Sequence, residues 1–133
     1  MDEVVIRYYR QLLRAGFEHA GSLENPSIFL DSVGEKLHIC AMTAHNYLHL
    51  YINIRDGVLE NIKYLCLCDP TANVVAELLC NLVKGKTIEE AKALTEDSFA
   101  RALGSRGKDF LERARRIIEL LNRGLARYQG GAA

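Results

Sequence analysis

The sequence predicts an α+β domain, built as a three-stranded antiparallel sheet with helices packed on one face. Three observations carry this. β-prone segments cluster between residues 28 and 67, with helical periodicity on both sides. An Asp56-Gly57 pair, a strong hairpin signal, separates two of them. No strand–helix–strand alternation precedes them, so the sheet has no need of parallel crossovers.

Residues 2–16 read as a helix, because Val4, Val5, Tyr8, Leu12 and Ala15 recur near helical spacing and Gly16 suits a C-cap. Residues 17–26 form a loop containing Gly21, Asn25 and Pro26. Ile28 to Val33 is β-prone, and Gly34-Glu35 offers a turn. Lys36 to Cys40 alternates as a strand does, with Leu37 and Ile39 on one face and His38 and Cys40 on the other. The clearest strand spans 47–54, with Leu48, Leu50, Ile52 and Ile54 on one side and Tyr47, His49, Tyr51 and Asn53 on the other. After the Asp56-Gly57 turn, Val58 to about Leu67 pairs antiparallel with it.

The second half is helical. Asp69-Pro70 is a start signal, Asp as N-cap and Pro in the first turn. That helix runs to about Lys84 and stops at Gly85, with an apolar stripe of Val75, Leu78, Leu79 and Leu82. Thr87 and Glu90 make a capping box for a short helix. Thr95 or Asp97 caps another, ending at Gly104. A long helix covers about 108–128, directing Phe110, Leu111, Ala114, Ile117, Ile118, Leu121 and Leu125 to the core. Residues 129–133 read as a frayed tail.

A length of 133 residues fits one domain over 1–133. Lys+Arg and Asp+Glu both number 17, so the chain lacks the basic footprint of a general nucleic-acid binder. Asp2 and Glu3 after Met1 are wrong for a signal peptide. No apolar run approaches the roughly 18 residues of a membrane span. A cytoplasmic protein with no membrane partner is the expectation.

There are four cysteines: Cys40, Cys66, Cys68 and Cys80. In the cytoplasm their readings are buried apolar residue, metal ligand or reactive thiol. Cys80 lies off the main apolar stripe of its helix, on the flank shared with Ala76, and reads as buried because free cysteines mostly are. The informative segment is Cys66-Leu67-Cys68-Asp69-Pro70, at the junction of a strand and a helix. Two cysteines two apart in a strand share a face. Cys68 abuts a helix N-terminus, where partial positive charge favours thiolate, the form that binds metal. Asp69 adds a carboxylate, although capping competes for it. The plainer alternative is that both thiols are small apolar residues and Asp69 only caps. His45, in a loop and separated from Cys40 by four residues, is a candidate ligand, whereas His19, His38 and His49 read as solvated or hydrogen-bonded. No phosphate loop, nucleophile elbow or His-Glu-x-x-His appears. The basic series Arg106, Lys108, Arg113, Arg115, Arg116, Arg123 and Arg127 reads as a solvated helix face, with docking of an acidic partner as the alternative.

Asp56-Gly57-Val58-Leu59-Glu60-Asn61 resembles the turn Asp-x-Gly-Ile-Ile-Glu-Asp of the NifU/IscU family. Leu82-Val83-Lys84-Gly85-Lys86-Thr87-Ile88-Glu89-Glu90-Ala91 resembles that family's Val-Lys-Gly-Lys-Thr-x-Asp/Glu-Glu-Ala stretch. Val5-Ile6-Arg7-Tyr8-Tyr9 is similar to its Val-Ile-x-His-Tyr helix. The resemblance implies an IscU/SufE-like fold and a scaffold in iron–sulfur cluster assembly, not an enzyme. It implies a transient [2Fe–2S] cluster or iron, or zinc, held by three cysteines and an aspartate. It implies as partners a cysteine desulfurase-like sulfur donor or an Fe–S acceptor protein.

The ligand set departs from the family pattern. The Cys-Gly-Asp motif falls on Ala44-His45-Asn46, and Gly-Cys-Gly-Ser falls on Cys68-Asp69-Pro70-Thr71. The third cysteine falls near Gly107-Lys108-Asp109, where no thiol exists. The family's Pro-Arg-Asn after the first helix is missing too. One interpretation is that ligands have migrated, to Cys66 or Cys68, to His45 or Cys40, and to Asp109. The other is an interaction domain without metal. A thiol enzyme using Cys68 is the third and weakest reading.

Overall fold

The computed structural model describes residues 2–39 and 46–128. Helix α1 spans Glu3–Ala15, strands β1, β2 and β3 span Ile28–Asp31, Tyr47–Arg55 and Val58–Leu67, and helices α2 to α5 span Pro70–Val83, Ile88–Lys92, Glu96–Leu103 and Lys108–Arg127. The sheet is antiparallel in the order β1-β2-β3. Both the fold class and the sheet are those the sequence predicts. Among the described residues no helix is long and apolar enough to cross a membrane.

The period-2 pattern sets which face is buried. Ile28 and Leu30 of β1, Leu48, Leu50 and Ile52 of β2, and Leu59, Ile62 and Tyr64 of β3 point inward and are buried. Asp56 (φ 53°) and Gly57 (φ 75°) are both left-handed, as a two-residue hairpin turn requires. A bulge between Asn53 and Ile54 breaks the alternation there, so Ile54 is only half-buried.

Helix α2 lies innermost, touching α1, α4, α5 and β3. That contact on several sides is why its buried set is wider than the predicted stripe: Val74, Ala76 and Cys80 are buried, while Leu82 is only half-buried. The Asp69 carboxylate accepts the Ala72 N–H at 3.0 Å, closing the cap read from the sequence. The Thr87–Glu90 capping box forms in both directions, at 2.9 and 3.1 Å. Helix α5 closes on β1 at Gly124, where a Cβ would stand 2.7 Å from Leu30 Cδ1. At the other end, the Ser105 hydroxyl donates to Asp2, the N-cap of α1.

Two expectations need correction. Lys36 to Cys40 is not a strand in its described part: Lys36 has φ 59° and residues 37–39 join no ladder. Arginines of α5 take the place of a partner strand. Arg123 donates to the Glu35 carbonyl at 2.7 Å, Arg116 to His38 at 2.6 Å and Arg113 to Ile39 at 3.2 Å. The second concerns one member of the basic series: Arg113 is only 13% exposed. The solvated face holds for Arg106, Arg115 and Arg127, which are 60–68% exposed and pair with Asp97, Glu96 and Glu35. The Arg127 hydrogen bond is the main reason the Glu35 carboxyl is held down at about 2. The tail 129–133 lies outside the described residues.

One buried polar group interrupts the core. Glu77 of α2 accepts from the Tyr64 hydroxyl at 3.1 Å and the His19 N–H at 3.2 Å, and its other oxygen lies 2.5 Å from His19 Nδ1. All three residues are buried. Burial and the Glu77 charge push the Tyr64 phenol well above its usual range. The segment at 19–21 is thereby held on the edge of β3, where Tyr64 N–H donates to the His19 carbonyl and Gly21 N–H to the Tyr64 carbonyl. Removing one member strands the others without a partner. Glu77→Ala is expected to lower stability by about 3–5 kcal/mol in denaturant unfolding. A loss within the ~0.5 kcal/mol typical of an indifferent surface site would contradict this assignment.

Candidate functional site

The strand–helix junction is built as the sequence reads it: β3 ends at Leu67 and α2 begins at Pro70. Tyr47, the first residue of β2, pairs with Leu67, so the start of β2 lies beside the end of β3. The Cys66 and Cys68 side chains are half-buried and both pack against the core, as the two-residue spacing requires. The first turn of α5 also reaches this region, through Asp109 and Arg113.

The sulfurs differ in state. Cys66 and Cys80 are free thiols. Burial, and after it the Asp69 charge, pushes the Cys66 thiol up to about 12, against the opposing pull of Arg113. Cys66 is therefore a protonated thiol at neutral pH. Cys68 is disulfide-bonded in this structure. Its Sγ lies 3.1 Å from the Tyr47 carbonyl oxygen, and a disulfide sulfur has no proton to donate across that contact. Cys80 is fully buried, and burial raises its thiol well above the ordinary range.

Arg113 organises the acidic side chains. Its Nη1 stands 2.6 Å from Asp69 Oδ1 and 3.2 Å from the Ile39 carbonyl oxygen, and its Nε stands 3.2 Å from Asp109 Oδ1. The Arg113 side chain is only 13% exposed, so these interactions are partly shielded from solvent. Burial raises the Asp69 carboxyl, but the Arg113 hydrogen bond, the Ala72 amide and the Arg113 charge outweigh it and hold the group below its usual range. The Asp69 oxygen that caps α2 is the same one that meets Arg113.

The candidates named from the sequence therefore divide. Cys66, Cys68, Asp69 and Asp109 belong to one end of the molecule, with both carboxylates on one guanidinium. Cys40 and His45 lie outside the described residues. Among the described residues no three Cys, His, Asp or Glu side chains are grouped as a metal site requires. His49 is on the outer sheet face, 3.4 Å from Asp31, and His38 is exposed. The residue whose role the sequence did not reveal is Arg113, read there as part of a solvated face but in fact 13% exposed and paired with Asp69. Its signal was present: it stands three residues after Phe110 and four before Ile117, at the margin of the α5 apolar stripe.

A shallow cavity of about 360 Å³ opens beside the same helix starts, lined by Asp2, Val5, Thr71, Gly107, Lys108, Asp109 and Phe110. The state of Cys66 gives a direct check. With its thiol near 12, the thiolate fraction at pH 8 is roughly 10³-fold below that of an ordinary cysteine. Iodoacetamide at pH 8, read by peptide-resolved mass spectrometry, should modify Cys66 at least about tenfold more slowly than the same cysteine in the unfolded chain. Equal rates would contradict the burial and charge balance described.

Comparison with known proteins bears on this geometry. The profile of the family described as "NifU-like N terminal domain" matches residues 15–133. Two curated relatives from Archaeoglobus fulgidus, the iron–sulfur cluster assembly scaffold proteins IscU 1 and IscU 2, are each 32% identical over 79 residues. The match covers 59% of this chain and 52% of each relative, so the chain spans about half the length of the curated relatives it matches. Among solved structures, a candidate iron–sulfur cluster assembly scaffold protein for the SUF system from Fervidobacterium islandicum superposes with a TM-score of 0.61 at 11% identity, covering 94% of this chain and 96% of that one. The N-terminal part of a NifU-like protein from Brucella abortus superposes with a TM-score of 0.55 at 15% identity, over 96% and 90% of the two chains. At those identities the structures speak for the fold alone.

Proposed function

Because the chain belongs to the family of NifU-like N-terminal domains, we propose that it serves iron–sulfur cluster assembly as a non-catalytic scaffold that receives its cargo at the β3–α2 junction. The cargo is a [2Fe–2S] cluster or an iron ion, and zinc is the other ion such donors suit. Cys66, Cys68 and Cys40 are the sulfur donors, and His45 is the nitrogen donor. Asp69 and Asp109 are the oxygen donors. The partners are a cysteine desulfurase-like sulfur donor or an Fe–S acceptor protein, met in the cytoplasm.

The observation that carries this reading is the pairing of two cysteine side chains on one face of a strand end, beside two carboxylates and a helix start. Sulfur donors suit iron and zinc. The raised Cys66 thiol does not oppose this, because a bound cation inverts the local balance and a coordinating thiol loses its proton. Reduction of Cys68 must precede loading, since only a thiolate ligates.

A second reading has its own support. Both carboxylates of the junction are already bound by Arg113, which suits an interaction domain that keeps the fold and binds no metal. Reconstitution separates the two. Reduced protein, purified anaerobically and treated with iron and sulfide, should show sulfur-to-iron charge-transfer absorption, and metal analysis should find stoichiometric iron. Cys66→Ser and Cys68→Ser should each lower that yield several-fold. Absence of absorption and of bound metal, with the serine variants indistinguishable from the wild type, would leave only the interaction domain.

A further inference from the structure

We propose that the outer face of α1 is a docking surface for an acidic amphipathic helix of a partner protein. Helix α1 turns Val5 and Leu12 to the core and carries Arg7, Arg10 and Arg14 on its far side. Steps of three and four residues place these arginines in one row. All three are exposed. With Glu3 and Ile6 they line a shallow concavity of about 340 Å³. Among the described residues, none of the three side chains makes a hydrogen bond or an ion pair, not even Arg7 with Glu3 one turn away. None of these residues belongs to the β3–α2 junction, so the inference stands apart from the scaffold reading.

This row is unlike the other arginines. From Arg55 to Arg127, each reaches an acidic side chain or a main-chain carbonyl of its own chain. The whole chain balances 17 basic against 17 acidic residues. The unmatched positive charge is therefore local to α1 and has to be met from outside. Its spacing selects the occupant. The row spans residues 7–14, roughly 10 Å along the helix axis. One phosphate or carboxylate cannot meet all three guanidiniums over that length, whereas carboxylates repeating along a second helix can. Ile6 and Leu13, one heptad apart, flank the row, and Leu13 is 60% exposed. An acidic helix with an apolar residue beside its carboxylates covers both features. A nucleic-acid backbone would leave Leu13 in water. A membrane surface fits less well, because the wide apolar face that would insert is already packed against α2.

The test titrates the reduced full chain into a labelled helical peptide that carries Glu at positions i, i+4 and i+7 with Leu beside them, read by fluorescence anisotropy. The same peptide with Gln for each Glu is the reference. At about 50 mM salt the Glu peptide should bind at least tenfold more tightly than the Gln peptide, and the advantage should shrink as salt is raised. The triple variant Arg7→Glu, Arg10→Glu, Arg14→Glu should lose at least about tenfold in affinity for the Glu peptide. Leu13→Ser should weaken both peptides by about threefold. Arg115→Glu, at a paired arginine of α5, should stay within about twofold of the wild type. Far-UV circular dichroism confirms folding, and Arg10→Gln with Arg14→Gln replaces the triple variant if that one fails to fold. Equal binding of the Glu and Gln peptides, or full binding by the folded arginine variant, would overturn the proposal. Tighter binding to phosphatidylserine vesicles or to a DNA duplex than to the Glu peptide, lost in the same variant, would also overturn it and assign the row to lipid or nucleic acid.

Discussion

One guanidinium joins parts of the chain that sequence separates widely. Arg113 bridges the N-cap of α2, the first turn of α5 and the main chain at Ile39. These parts frame the end of the sheet that carries Cys66 and Cys68. Without that link, the Asp69 cap would be an exposed surface detail of modest value. With it, the α2 start and the α5 start are fixed against each other, and so is the main chain at Ile39. Of the described candidate donors, Asp69 and Asp109 are held by this contact, while Cys66 is placed by the β2–β3 ladder.

The fold was legible because its signals are local. Alternation of Leu48, Leu50 and Ile52 against Tyr47, His49 and Tyr51, the Asp56-Gly57 turn, the Asp69-Pro70 start and the Thr87–Glu90 box each involve residues a few positions apart. Each is satisfied in the structure by the hydrogen bond or burial the pattern calls for. The segment after Lys36 misled because alternation alone does not provide a ladder partner. Its carbonyls accept from Arg113, Arg116 and Arg123, about 75 to 90 residues downstream. Nothing in a five-residue window records that. The Glu77 network was hidden for the same reason, since His19, Tyr64 and Glu77 come from three elements.

The candidate site was legible in part. Placing Cys66, Cys68 and Asp69 at a strand end and helix mouth needed only short-range pattern. Their chemical state needed the tertiary environment. The helix start that favours thiolate at Cys68 acts on a sulfur that is disulfide-bonded here, and the neighbouring Cys66 thiol is governed by burial and Asp69. The resemblance implies a cysteine where Asp69 stands; in the structure the carboxylate at that position is held by Arg113. The acid and its arginine form one electrostatic adjustment at the helix mouth.

That adjustment is testable without any metal. A double-mutant cycle in urea, combining Asp69→Asn with Arg113→Met, isolates the coupling between the two side chains, and the asparagine still caps α2. A tie that organises this end of the molecule predicts a coupling of about 0.5–3 kcal/mol. Additivity within about 0.3 kcal/mol would mean that the contact between Asp69 and Arg113 organises nothing.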